Sequence, residues 1–412
     1  MLKIGANIVY RYCLQKVSYI VYLSQVQIDY HKRIFGLDFL RAIAILSVLF
    51  AHLLWIFPEA RGWIPTLLQL AGILGVELFF VLSGFLIGRM LLNTFSSPDF
   101  HRNNLRYFII RRWFRTLPNY YLILLINIAL VFLFGRVLPE SLWKYFLFFQ
   151  NAYTPMDTFF RESWTLPIEE AAYLIGPILL FIVSSLKLKG NPKNIFLAVI
   201  LLVISIFIGT KMYYSNTTEN INLLQWNTDL KAVVLYRVDA IYYGFLAAYC
   251  SIVFSKIWNR FSLVFAILGS LLLLGFQYIL YTQKLYIETY PELWNVLYLP
   301  FCSICIALLF PLFSKIKTEP SYILKPFTFI SITSYSLYLL HYSIILQGVQ
   351  YIVPTQDRGF SYKIIYAAGY FIILFIAAYV LYRFYEKPMM DLRDRPYFKK
   401  LSFKKVNQPN RQ

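Results

Sequence analysis

His52 closes a segment, GLDFLRAIAILSVLFAH at residues 36–52, whose only other ionisable side chains are Asp38 and Arg41. Imidazole titrates near neutral pH, so a histidine held among apolar residues is suited to take a proton from a hydroxyl. Arg41 precedes His52 by three helical turns and about 20°, a rise of ~16 Å, so both side chains share one helix face. Other ionisable residues recur inside apolar runs: Glu77, the pair Glu169 and Glu170, Arg237 with Asp239, and His341. A charge at mid-membrane costs about 2.5–3.5 kcal/mol on insertion scales, which makes each a functional candidate; the alternative is a helix-end charge that snorkels to the headgroups. His52, Glu77, Glu169 and Asp239 fall at similar depth in four spans, which predicts one polar cavity. There an acid, Glu77 or Glu169 with Asp239 as a third candidate, would fix the histidine tautomer. A basic cluster, Arg111, Arg112 and Arg115, lies just ahead of Pro118. Paired guanidinium hydrogen bonds fit phosphate, with lipid headgroups as the alternative ligand. His341 reads as a second cavity-lining group or a packing histidine. Trp164 reads as a sugar-stacking ring or an interfacial anchor. Ser83, in VLSGF, is a conceivable nucleophile, although Ser-Gly inside a span more often permits close helix packing.

The elements that hold these residues are membrane spans. Of the 412 residues 59% are hydrophobic and 14% charged, against about half and about a quarter in soluble domains. About ten apolar runs are long enough to cross a bilayer: 38–57, 70–92, 117–136, 168–186, 194–213, 231–254, 261–281, 292–313, 327–350 and 363–384. They are apolar all round and do not alternate, so the expected fold class is all-α, a polytopic membrane protein. The connecting segments alternate in charge. Lys32, Arg33, Arg102, Arg106, Lys187, Lys189, Lys256, Lys315 and the C-terminal tail lie on one side, with few cations opposite. Lys211, Lys231, Arg237 and Lys363 count against the bias, which is still roughly three to one and predicts both termini in the cytoplasm. The net charge of +19 is read as this retention of basic loops, not as nucleic-acid binding. Residues 1–36 form a cytoplasmic or interfacial leader, 37–388 the membrane domain and 389–412 a basic tail. The stretch near Leu142–Phe149, in the longest loop, reads as a short interfacial helix. Cys302 and Cys305 form a CxxC inside an apolar run with no second pair, so no metal site is expected.

With these residues the chain resembles the acyltransferase-3 family of membrane O-acyltransferases. The resemblance runs from about Phe35 to Pro388. It rests on the Arg-x10-His of residues 36–52, GVELFFVLSGFLI at 75–87, RRWFRTLPNYY at 111–121 and WTLPIEEAAYLIGP at 164–177, then RVDAIYYG, SYSLYLLH and EKP in that order. Thr165, Pro167, Ala171 and Ala172 depart mildly from the family pattern. The resemblance implies an acyl-CoA co-substrate, most often acetyl-CoA, with no bound cofactor, and a carbohydrate hydroxyl on a glycan or glycolipid as acceptor. It implies His52 as general base, with Arg41, Arg112 and Arg115 on the donor. The Arg41–His52 rise is comparable with an extended pantetheine arm. Direct transfer and an acyl-enzyme both satisfy this chemistry. Intramembrane charges on this many spans also suit a transporter or flippase for a lipid or sugar. A non-catalytic glycan-binding scaffold is a further alternative, and it should tolerate replacement of His52.

Overall fold

The structure, a computed structural model, describes residues 33–186, 190–219, 222–317, 322 and 324–392. The expected leader and tail lie almost wholly outside the described residues. Every element among the described residues is helical. We label the long ones α1 (Phe35–His52), α2 (Trp63–Phe95), α3 (Arg102–Leu133), α4 (Thr165–Ser185) and α5 (Pro192–Thr217), then α6 (Asp239–Val253), α7 (Ser262–Thr282), α8 (Leu299–Ala307), α9 (Lys325–Leu340) and α10 (Phe360–Leu381). With their short flanking turns, 9 helices among the described residues are long and apolar enough to cross a membrane; α6 is a shorter apolar helix. The chain is a multi-pass membrane protein. In hydrocarbon every backbone N–H and C=O must be paired within the protein, and helices do this locally.

Three boundaries differ from the sequence reading, with consequences for the site. Segment 231–254 is not one helix: a π-helical turn at Trp226–Lys231 and a 3-10 turn at Val234–Tyr236 precede α6. The rod containing α4 begins at Arg161, through a 3-10 turn. That is seven residues before the expected start, so Glu169 sits deeper in the span than predicted. The basic cluster does not precede its span but lies within α3, so Pro118 is an internal proline. A proline there removes one helical hydrogen bond, the one to the Phe114 carbonyl four residues back; neighbouring helices bond to other carbonyls of this stretch. The Tyr335 hydroxyl donates to the Thr116 carbonyl at 2.8 Å and the Tyr385 hydroxyl to the Pro118 carbonyl at 3.3 Å. The short helix expected in the long loop forms at Leu142–Phe146.

At the centre, α2 packs along both α1 and α6. Its contact with α6 is backbone on backbone: a Cβ on Gly84 would overlap the Ile241 carbonyl oxygen, and one on Gly244 the Val81 carbonyl oxygen. Small residues permit such approach in membrane helices, where dispersion replaces the hydrophobic effect as the driving force. Asp38 sits in the first turn of α1, where the helix dipole favours an anion, and takes a 2.5 Å bond from Arg33.

Candidate active site

The single face of α1 that carries Arg41 and His52 opens onto two cavities. At the Arg41 end lies a narrow slot of about 100 Å³, lined by Arg41, Ser83, Arg112, Arg115 and Glu169 among others. At the His52 end lies a wider chamber of about 510 Å³, lined by His52, Trp55, Arg161, Glu162, Trp164, Lys231, His341 and Tyr342 among others. Val76 and Tyr338 line both, so the two cavities meet there. The Tyr338 hydroxyl accepts a bond from Thr165 at 3.0 Å.

Both imidazoles in the chamber are oriented by the backbone. The Nδ1 of His52 lies 2.8 Å from the Val48 carbonyl, one helical turn back. A carbonyl only accepts, so Nδ1 carries the hydrogen and Nε2 keeps the lone pair. His341 repeats the device, with Nδ1 at 2.6 Å from the Tyr338 carbonyl and its buried Nε2 without a protein partner. It stands where α9 gives way to a π-helical turn, His341–Gln347, a distortion frequent at functional sites. The two rings are 4.8 Å apart, edge to face. The Tyr342 ring is 5.1 Å from His52.

The expected acid partner of His52 is not where the sequence reading put it. Glu77 is buried behind the chamber, bonded to Arg237 at 2.5 Å and to the Ser303 hydroxyl. Asp239 is buried against Lys211. With the Ser303 bond these pairs tie α2, α5 and α8 to the start of α6 and the turn before it, and neither Arg237 nor Asp239 lines the slot or the chamber. A charge in low dielectric is held by its partner, which makes the two pairs structural. Glu169, taken deeper by the early start of its rod, lines the slot and accepts a 2.8 Å bond from Tyr173. Arg112 lies 4.4 Å from that tyrosine's ring centroid. Glu170 turns away to accept from Thr116 at 2.8 Å. Arg41, Arg112 and Arg115 therefore converge with Glu169 at the slot, while His52, Trp164 and His341 converge at the other end.

Sequence reasoning missed Glu162, Arg161, Lys231 and Tyr338. Glu162 is the one acid among the described residues that lines the chamber with the histidines, and its Oε1 accepts from the backbone N–H and the hydroxyl of Ser343 at 3.0 and 2.5 Å. Its Oε2 is buried without a partner. The signal was present in RESW, residues 161–164, whose polar start was read as loop. Trp164 lies edge-on to Phe80 at 6.0 Å and under the Lys231 ammonium at 5.0 Å.

The family of the acyltransferase domain matches residues 34–383. Among curated proteins, the chain is 29% identical over 395 residues to the peptidoglycan O-acetyltransferase OatA of Listeria monocytogenes, covering 88% of this chain and 57% of that protein. It is 26% identical over 392 residues to the O-acetyltransferase OatA of Staphylococcus aureus, covering 86% of this chain and 57% of that protein. The chain thus spans a little over half the length of these relatives. No solved structure matches it.

Proposed function

Because the chain belongs to the acyltransferase-3 family of acyltransferase domains, we propose that it is a membrane O-acyltransferase that moves an acyl group from a cytoplasmic acyl-CoA, acetyl-CoA first, to a carbohydrate hydroxyl on the far side. The observation that carries this reading is the pairing of an arginine-lined slot with a histidine-lined chamber along one face of α1, meeting at Val76 and Tyr338. At about 100 Å³ the slot is smaller than an acyl-pantetheine arm, so the proposed donor needs it to widen, with the nucleotide left at the mouth. Arg112 and Arg115, with Arg41 deeper, suit its phosphates and carbonyls. The basic-loop bias supports a cytoplasmic mouth. The chamber, about five times larger, suits a sugar, with Trp164 as a stacking face.

In the proposed step the lone pair on His52 Nε2 takes the acceptor hydroxyl proton. The oxygen attacks the thioester carbonyl, the C–S bond breaks, and the imidazolium returns its proton to the departing thiolate. The Val48 carbonyl, not a carboxylate, holds His52 in the tautomer this requires. The second imidazole, His341, presents another Nε2 acceptor to the same hydroxyl or its neighbour. This route is direct and needs no acyl-enzyme. The names of the relatives make a peptidoglycan glycan the first acceptor to try.

The test is transfer by the purified protein in lipid nanodiscs, with labelled acetyl-CoA and glycan fragments, read by mass spectrometry. The proposal expects donor-dependent O-acetyl esters. Movement of a lipid-linked glycan across the bilayer without any acyl donor, and no ester formed, would replace it with a flippase.

A further inference from the structure

The fully buried cations among the described residues each have a carboxylate partner: Lys211 with Asp239, Arg237 with Glu77 and Lys363 with Glu59. Lys231 breaks this pattern. It ends the π-helical turn at Trp226–Lys231, sits half-buried in the chamber wall, and has no carboxylate within salt-bridge distance. Its ammonium donates to Asn227 Oδ1 at 3.0 Å and lies 5.0 Å from the Trp164 ring centroid. A second cation, Arg161, lines the same chamber.

Neither cation is ion-paired with a carboxylate of the chamber. Its single acidic lining residue among those described is Glu162, whose Oε1 accepts from Ser343 and whose Oε2 has no protein partner. A part-buried charge without a counter-ion is costly, and a site keeps one where a ligand supplies the opposite charge. The Trp164 face beneath the ammonium is suited to hold a sugar ring beside it.

We propose that Lys231, with Arg161, binds an oxyanion carried by the acceptor, either a carboxylate on the sugar or a phosphate at its reducing end. The bound anion fixes which hydroxyl faces His52. The acceptor is thus an anionic glycan, not a neutral one. This rests on the chamber being the acceptor site, and it concerns binding alone, so it is tested without an acyl donor.

The experiment is a ligand-observed NMR titration of the full chain in nanodiscs. The probes are N-acetylglucosamine, its 1-phosphate, N-acetylmuramic acid and the methyl ester of the last. The wild type is expected to bind at least one anionic sugar about tenfold tighter than N-acetylglucosamine, the increment of one charge-assisted hydrogen bond. The sugar that gains, phosphate or carboxylate, identifies the source of the anion. Lys231→Gln should reduce that affinity to the neutral value, and Lys231→Arg should keep the gain. Equal binding of neutral and anionic sugars by the wild type overturns the proposal, as does a preference that survives in a well-folded Lys231→Gln. If Lys231→Gln does not fold, the ester decides on wild-type protein: it must lose the gain shown by the free acid, and undiminished binding of the ester refutes the charge reading. Absence of acyl transfer with the anion preference intact would count against the proposed reaction and leave this site standing.

Discussion

Replacing Glu77 by Leu should destabilise the protein, not switch off its chemistry alone. Glu77 and Arg237 are each 1% exposed and bonded at 2.5 Å. Among the described residues no other carboxylate is ion-paired with the guanidinium: its Nε and Nη1 are buried without partners, and it lies over the Phe80 ring at 5.5 Å. Removing Glu77 leaves a buried charge uncompensated and deprives the Ser303 hydroxyl of its acceptor. Breaking one side of a buried pair costs about 3–5 kcal/mol, a large part of the ~5–15 kcal/mol that holds a typical domain together. Replacing both partners by apolar residues of similar size is often neutral, so Glu77→Leu with Arg237→Met should recover most of the loss. The assay is thermal unfolding in detergent at one fixed scan rate, since such unfolding is often irreversible. The reasoning is refuted if Glu77→Leu melts like the wild type yet loses transfer. That result would return the carboxylate to the reaction. No recovery in the double variant would refute the pair as the cause.

His52→Ala should insert and melt like the wild type while transfer falls by at least about 10²-fold, the lower end of what a general base contributes; steady-state rates in nanodiscs check this. Arg41 lines the slot and not the chamber, so Arg41→Ala should raise KM for acyl-CoA and leave KM for the acceptor unchanged, read by varying each substrate in turn. Gly84→Ala places a Cβ against the Ile241 carbonyl where α2 meets α6; overpacking of this kind costs about 1–3 kcal/mol, so a lower melting temperature is expected.

The parts legible in the sequence were those governed by a single helix. The apolar runs announced the spans because backbone pairing in lipid leaves few other choices. The Arg41–His52 stripe followed from helical pitch and survives as the face that joins the two cavities. What one sequence does not carry is which face meets which. Glu77 and Asp239 were expected beside His52, but rotation about their own helices turns them to Arg237 and Lys211. Glu169 was misplaced by a boundary: starting the rod at Arg161 moves it seven residues inward, to the slot, and leaves Glu162 at the chamber. Lys231 was weighed only as a span-end charge against the basic-loop bias, because nothing local shows that its turn folds back over Trp164.

The central claim is that one continuous path joins an acyl carrier to His52. The measurement that tests it most directly is a density map of the protein with a non-hydrolysable thioether analogue of acetyl-CoA. The pantetheine arm is expected along the slot past Arg41, with its acyl end at the Val76–Tyr338 junction beside His52 Nε2. An analogue seated elsewhere, such as the apolar groove lined by Tyr243, Cys250 and Trp258, with the slot closed between Arg41 and His52, would contradict it.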